Sequence, residues 1–295
     1  MTSLALKASI AAIVVTRNRL ALLKECVAAL RAQTRKPDAI FVIDNASDDG
    51  TADWLKEQTD LTVIRQENLG SSGGQYAGVK AAYHAGHDWF WCMDDDTIPN
   101  ADALERLAAC PYFKDEWTGF LSSVVLWTDG TPHRMNASDP IAADQWVHTV
   151  LTDHCVRLST SSFVSVMVSR AAVAKVGLPI RDFFLWYDDI EFTSRISRQF
   201  KGYCVLDSIV VHKTPFNKGI PLDRIAPADA DKYCYGVRNH LTWIRMEGGP
   251  LLTRFFRLFH VCGSRTKMVL TGRAPFKVLR WMLWGLVYKP PVEQV

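Results

Sequence analysis

The sequence predicts an α/β fold: a mostly parallel sheet with helices on both faces, followed by a helical C-terminal region. Three observations predict it. Continuous apolar runs, the mark of strands buried on both faces, alternate with segments of helical periodicity. Polar, acid-rich clusters at 16–19, 44–49 and 94–96 stand directly after those runs, at the strand ends where such sheets bind ligands. From Asp229 onward the pattern is helical only.

The elements follow in order. Ile10 to Val15 reads as a buried strand, and Thr16-Arg17-Asn18-Arg19 as the polar turn after it. Leu22, Leu23, Cys26, Val27 and Leu30 recur at helical spacing within 20–33. A second strand, Ala39 to Ile43, runs into Asp44-Asn45; a short helix spans 51–59 and a third strand 61–65. Gly70 to Gly74 reads as a glycine-serine loop feeding a helix over 75–85. Trp89 to Met93 is the fourth strand, ending at Asp94-Asp95-Asp96, with a helix over 101–110 behind it. Strands are expected at 119–127 and 162–169, while 128–160 carries no assignable period. A helix at 170–176 stops at Gly177-Leu178-Pro179, and the aromatic run Phe183 to Tyr187 precedes a helix opening at Asp188. Cys204 to Val211 is a strand ending at His212, and 215–228 a proline-containing loop. The last region presents Tyr233, Val237, Leu241 and Ile244 on one helical face. The expected division is a catalytic, ligand-binding domain over 1–228 and a helical, basic-aromatic region over 229–295.

Composition narrows the class. A chain of 295 residues with 48% hydrophobic and 22% charged content is ordinary for a folded protein. The net charge of +3 is unevenly distributed: from Leu251 onward eight basic residues face a single acid, Glu293. A basic segment interleaved with Phe255, Phe256, Phe259, Trp281, Trp284 and Tyr288 suits an anionic interface; a helical pair packed on the body, or an oligomer contact, is the plainer alternative. No nucleic-acid module accompanies it, so nucleic acid is not expected as a partner. The seven cysteines are scattered without a CxxC pair, which points to a reducing compartment rather than to a disulfide framework or a zinc site. No signal peptide or membrane-spanning run is expected.

Three consecutive carboxylates after a buried strand repel one another unless a cation or hydrogen bonds compensate. Hard divalent ions take oxygen ligands and bridge carboxylates to phosphates, so Asp94 to Asp96 suit a metal–diphosphate site; an acidic turn capping the next helix is the competing reading. Asp44 could accept from a nucleobase or ribose hydroxyls, or Ser47 and Asp48 could simply cap a helix. Asn68 to Gly74 could bring backbone N–H groups close to a ligand, but forms neither a GxGxxG nor a Walker loop. Asp188-Asp189 follow aromatics whose burial would raise a carboxylate's pKa toward that of a useful base, with helix capping as the alternative. His212 is a metal ligand or a structural histidine, and Arg195 pairs with Glu191 one turn earlier.

Taken together and in order, Val14-Val15-Thr16-Arg17-Asn18-Arg19, Asp44-Asn45-Ala46-Ser47, Glu67-Asn68-Leu69-Gly70, Asp94-Asp95-Asp96 and Trp186-Tyr187-Asp188-Asp189-Ile190-Glu191-Phe192 with Arg195 resemble the family-2 glycosyltransferases. The Asn-Leu-Gly-Ser-Ser-Gly-Gly segment, the acid triplet and Trp186-x-Asp188-Asp189 are similar to bacterial galactofuranosyltransferases and related rhamnosyltransferases, as is Tyr235-Gly236-Val237-Arg238-Asn239. The resemblance covers about residues 8–245. It implies the GT-A fold, a Rossmann-like sheet, and an inverting transfer dependent on Mn²⁺ or Mg²⁺. By the same resemblance Asp94, Asp96 and His212 hold the metal, and Asp189 is the base. Thr16, Arg17, Asp44, Asn68, Gly73 and Asp95 bind the nucleotide sugar, while Trp186 and Asp188 face the acceptor or the donor sugar. The implied donor is UDP-galactofuranose and the implied acceptor a lipid-linked cell-surface glycan, at the cytoplasmic face of a bacterial plasma membrane. A dTDP-rhamnose transferase and a catalytically silent sugar-nucleotide-binding protein are the alternatives. The large extra domains of polymerising members, and with them processive synthesis, are not expected, and an oligomer is possible.

Overall fold

The computed structural model describes residues 8–136, 138–141, 146–219, 225 and 229–295. The first strands and helices are β1 (Ile10–Thr16), α1 (Leu20–Arg31), β2 (Ala39–Asn45), α2 (Thr51–Lys56), β3 (Leu61–Gln66), α3 (Gly70–His84), β4 (Trp89–Asp94), β5 (Thr97–Pro99) and α4 (Ala103–Ala109). They are followed by β6 (Thr118–Leu126), β7 (Asp139–Pro140), α5 (Trp146–Leu151), β8 (Cys155–Thr160), β9 (Val166–Ser169), α6 (Arg170–Val176), α7 (Asp188–Ser197) and β10 (Lys201–His212). Three helices close the chain: α8 (Ala230–Met246), α9 (Leu251–Leu270) and α10 (Lys277–Val287).

One sheet organises the body, in the order β3-β2-β1-β4-β9-β6-β10-β8-β7, with β5 paired to β10. The run β3-β2-β1-β4 is wholly parallel, and β9 alone runs against its neighbours along the path to β10. Strand β1 shows why the period-2 rule and the continuous apolar run coexist. Ile10, Ala12 and Val14 join the core on one face, with Leu23, Val27 and Leu30 of α1. Ala11, Ile13 and Val15 join the core on the other, with Val79 and Ala82 of α3. Both faces are covered, so no polar alternation is left to see.

Several expectations shift. The segment 70–74 is not a loop; it is the first turn and more of α3. A Cβ on Gly74 would stand 2.4 Å from Val15 Cγ1, and one on Gly78 2.3 Å from Ile13 Cγ2. These glycines let α3 lie directly on β1, and packing overrides their low helix propensity. The strand expected over 162–169 begins only at Val166. The unassigned stretch supplies β7, α5 and β8, and the three-residue β5 carries no sequence signal. Residues 1–7, much of the 215–228 loop and the expected boundary at 228 lie outside the described residues.

The C-terminal helices form a separate apolar cluster around Tyr233, Val237, Leu241, Met268, Val278 and Met282, against which Trp186 packs. The chain end then returns to the body: Tyr76 Oη and Lys80 Nζ donate to Glu293 at 2.5 and 2.6 Å.

Candidate active site

A cleft of ≈ 400 Å³ opens at the carboxyl ends of β1, β2 and β4. Thr16, Arg17, Arg19, Asn68, Asp94, Asp95, Trp186, Asp188, Asp189 and His212 line it, all but Arg19 expected from sequence. The parallel registers Thr16↔Asp44 and Val15↔Asp94 bring three strand ends to one edge.

The acid triplet is held by a cation and an imidazole. Thr16 Oγ1 donates to Asp95 Oδ2 at 2.8 Å, and Arg19 Nη1 reaches Asp96 Oδ2 at 2.5 Å and Asp95 Oδ1 at 3.4 Å. Strand β5 pairs antiparallel with the end of β10, setting Thr97 opposite His212. Its Nε2 therefore stands 3.1 Å from Asp96 Oδ1, while Nδ1 lies 2.8 Å from Asn136 Oδ1. Asn136 Oδ1 at Nδ1 and Asp96 Oδ1 at Nε2 bracket the imidazole, and a metal ion held there would take the lone pair of Nε2.

These three acids do not share one protonation behaviour. Burial pushes Asp94 well above the carboxylate range, reinforced by Asp96, Asp95 and Asp188. Burial also raises Asp95, to about 6, against the pull of Arg19 and Thr16. At Asp96 burial is outweighed by the bonds and charges of His212 and Arg19, and its pKa is lowered.

This donor set fits a hard divalent ion. Two ligands cis on an octahedral ion with bonds of about 2.1 Å stand about 3 Å apart, the separation between Asp96 Oδ1 and His212 Nε2. Oxygen and imidazole donors suit Mn²⁺ or Mg²⁺. Among the described residues no three acidic, histidine or cysteine side chains already close a cage, so the remaining ligands would have to come from water or a substrate's phosphates.

Across the cleft, Asp188 and Asp189 open α7. Burial raises Asp188 to about 6, and its Oδ2 has no hydrogen-bond partner. Burial, then the neighbouring Asp188, raises Asp189 to about 7. Asp189 Oδ1 accepts from its neighbour's N–H, Ile190, at 2.7 Å. A carboxylate at that pKa, facing the cleft, can take a proton near neutrality. Two residues on, Glu191 is fully buried and chelated by Arg195 at 2.8 and 2.9 Å. Arg195 also donates to Val176 and Leu178 carbonyls, so the expected helical pair ties α7 to the end of α6.

Three expected ligand residues stand apart from the lining: Asp96, which meets it through its contacts with the lining residues Arg19 and His212, then Asp44 and Gly73. Asp44 is fully buried beneath the edge, accepting from Ser47 N at 2.9 Å with Arg65 at 3.7 Å. Asn45, beside it, reaches the cleft instead. Gly73 is buried in α3 against Leu69. Sequence reasoning missed Arg19 as the counter-ion of the triplet, although it sits in the turn after β1. It also missed Asn136, and His133, whose ring lies tilted against that of His212 at 4.4 Å. Both lie in the polar stretch, and their side chains meet Thr214, Ser162 and His212, all distant in the chain.

A sheet of this order with a strand-end acid triplet facing a second acid pair is the GT-A architecture of glycosyltransferases. The structural neighbours agree. GalNAc-T7 with UDP, GalNAc and Mn²⁺ aligns with a TM-score of 0.62 at 15% identity, covering 82% of this chain and 48% of that one. S. aureus TarS 1–349 in complex with UDP aligns at 0.61 and 14%, covering 95% and 81%. The Pyrobaculum calidifontis mannosyltransferase PcManGT, with GDP-Man and Mn²⁺, aligns at 0.57 and 17%, covering 95% and 85%. Residues 11–163 match the sequence profile of glycosyl transferase family 2, and the chain belongs to that family. Among characterised relatives, galactofuranosyltransferase GlfT1 of Mycolicibacterium smegmatis is 34% identical over 106 residues, 35% of each chain. GlfT1 of Mycobacterium tuberculosis is 28% identical over 220 residues, 69% of this chain and 70% of that one. The matched segment thus spans about a third of the first relative.

Proposed function

We propose that this chain transfers galactofuranose, with inversion, from UDP-galactofuranose to a lipid-linked cell-surface glycan. The observation that carries the reading is Asp189, raised to about 7, lining the same cleft as Asp94, Asp95 and His212. The relatives named galactofuranosyltransferase support the sugar, and the UDP- and Mn²⁺-bound neighbours support the donor class and the metal.

In this reading Asp94, Asp96 and His212 hold Mn²⁺ or Mg²⁺, which when bound offsets the charge of the donor diphosphate. Thr16 holds Asp95 toward the donor, and Arg17, Asn68 and Asn45 border the nucleotide. Asp189 accepts the proton of the acceptor hydroxyl as its oxygen bonds to the anomeric carbon. The bond from that carbon to the diphosphate breaks on the opposite face, which inverts the centre and releases UDP. Trp186 and Asp188 orient the acceptor or the donor sugar, and the aromatic wall keeps the base poorly hydrated.

The acceptor's lipid gives the C-terminal helices a role. On α9, Leu251, Leu252, Phe255, Phe256 and Phe259 form an exposed stripe; Phe276, just before α10, and Leu283, Trp284 and Val287 on it do the same. Exposed Lys267, Arg273, Lys277 and Arg280 accompany them, a composition suited to the boundary of an anionic bilayer. No helix among the described residues is long and apolar enough to cross a membrane, so the proposed attachment is peripheral, at the cytoplasmic face of a bacterial plasma membrane.

The deciding experiment is transfer with purified full-length protein, Mn²⁺ and either UDP-galactofuranose or dTDP-rhamnose, read as released nucleotide and as product mass. Turnover with UDP-galactofuranose is expected; turnover with dTDP-rhamnose alone would overturn the donor. A protein that binds UDP yet behaves identically as Asp189→Asn would be a binding protein rather than an enzyme.

A further inference from the structure

The segment Tyr235 to Asn239 lies outside the cleft lining, yet it grips the strand of chain that delivers the acids to it. Phe184, Trp186 and Tyr187 all have positive φ, at 67°, 65° and 66°. Bulky side chains adopt that backbone region rarely, and it persists only where surroundings over-determine it. Here α8 supplies the determination. Asn239, fully buried, donates through Nδ2 to the carbonyl oxygens of Phe183, Leu185 and Trp186 at 2.9, 3.0 and 2.9 Å. Arg238 donates through Nε to Asn239 Oδ1 at 2.9 Å, which settles which end of the amide faces the loop. Its Nη2 reaches the Asp182 and Phe183 carbonyls at 2.9 and 3.0 Å.

Ring contacts complete the grip. Phe184 stacks on Tyr235 at 4.7 Å, and Tyr187 on His240 at 4.5 Å. Trp186 lies over Gly236, where a Cβ would meet its ring carbon Cε3 at 2.6 Å. Arg238 is itself caged by Tyr235, Trp281, Trp284 and Tyr288, within 4.4 to 5.4 Å of each ring, so α10 backs the same contact. Asp188 and Asp189 follow Tyr187 directly, so the direction in which the chain leaves this loop decides where both carboxylates point.

We propose that Asn239, oriented by Arg238, is a positioning residue for transfer: it imposes the positive-φ backbone at Phe184, Trp186 and Tyr187 and so aims Trp186, Asp188 and Asp189 into the cleft. This assignment rests on the reading of Asp189 as the base. The C-terminal helical region is then part of the catalytic apparatus, in addition to any surface it docks on. The donor side is built on β1, β2 and β4 and meets this loop through Ser72, whose N–H donates to the Phe184 carbonyl at 3.3 Å.

The test uses full-length Asn239→Ala and Gly236→Ala beside Asp189→Asn. The measurements are thermal melting, UDP affinity with Mn²⁺ by calorimetry, and transfer from UDP-galactofuranose to a water-soluble alkyl galactofuranosyl disaccharide. Misaiming a base by about 1 Å costs on the order of 100-fold, so Asn239→Ala is expected to lose kcat by roughly that factor with UDP affinity within about twofold. The pH at which its rate falls off should also drop, because a loosened loop admits water to Asp189. In Gly236→Ala the helix gains propensity while Trp186 must move, so an acceptor KM raised about tenfold with an unchanged melting temperature is expected. A folded Asn239→Ala with wild-type kcat and pH profile overturns the proposal, as does a loss of UDP affinity that parallels the loss of rate. Should Asn239→Ala fail to melt cooperatively, Gly236→Ala decides: wild-type acceptor kinetics overturn the proposal. An inactive Asp189→Asn with an unimpaired Asn239→Ala removes only the positioning role, whereas a fully active Asp189→Asn overturns both assignments.

Discussion

Two acidic clusters face each other across the cleft, and they are stabilised in opposite ways. Asp94 to Asp96 end a buried strand and are tied down by Thr16, Arg19 and His212, so that Asp96 stays ionised. Asp188 and Asp189 open a helix behind an aromatic loop; among the described residues no cation pairs with Asp189, and burial lifts it to about 7. The same residue type is thus made a charge holder at Asp96 and a proton acceptor at Asp189, while burial raises Asp94 and Asp95 as it raises Asp188. Environment decides, through desolvation against paired charge.

The sharpest way to break this comparison is Asp189→Asn. It is expected to lower kcat by about 10³-fold, within the usual range for a general base, with Mn²⁺-dependent UDP binding kept. A loss of UDP binding in calorimetry would move Asp189 to the donor side. Next, Asp96→Asn or Asp94→Asn should cost on the order of 10²-fold and abolish the Mn²⁺ dependence of UDP binding, the reverse pattern. If both clusters gave the same pattern, the division of labour would be wrong.

Smaller effects sharpen the contrast. Asn136→Ala removes the acceptor that orients His212 and should weaken Mn²⁺ by about 10-fold or more, read as a shifted metal titration of UDP binding. The pH profile reports the other wall. Asp189 must be ionised to act, so kcat/KM should fall about tenfold per unit below pH 7 and level off above it. Retention of full rate at pH 5 would assign the base elsewhere. The linkage has the opposite sign for stability. With a folded pKa raised from 3.8 to about 7, this group favours the fold fully below its unfolded value, and that contribution is lost as pH rises through 7. Last, Phe256→Glu with Phe259→Glu should cut partition onto anionic vesicles by about tenfold or more, leaving kinetics with a water-soluble acceptor unchanged.

The donor wall was the legible one. Its strands are local, their apolar runs are unbroken, and the acids follow them in sequence, so the reading from 10 to 96 placed Thr16, Arg17, Asn68, Asp94 and Asp95 at one cleft. It erred on the local structure of 70–74, reading a loop where α3 has already begun: Gly74 lets that helix approach β1, while Gly70 and Ser71 line the cleft. The acceptor wall was legible only in part. Asp188 and Asp189 stood out beside their aromatics, but nothing near them in the chain announces Asn239, more than fifty positions away.

The sequence by itself determined the α/β alternation, the strand ends that carry acids and the family they belong to, because period and motif are properties of neighbouring residues. Tertiary structure alone decided which acid is ionised. Arg19 reaches Asp96 across 77 positions, His212 arrives through the pairing of β5 with β10, and the aromatic loop is shaped by a helix from the far end of the chain. A pKa depends on solvent and charge within a few ångströms, and only the folded chain specifies which groups those are.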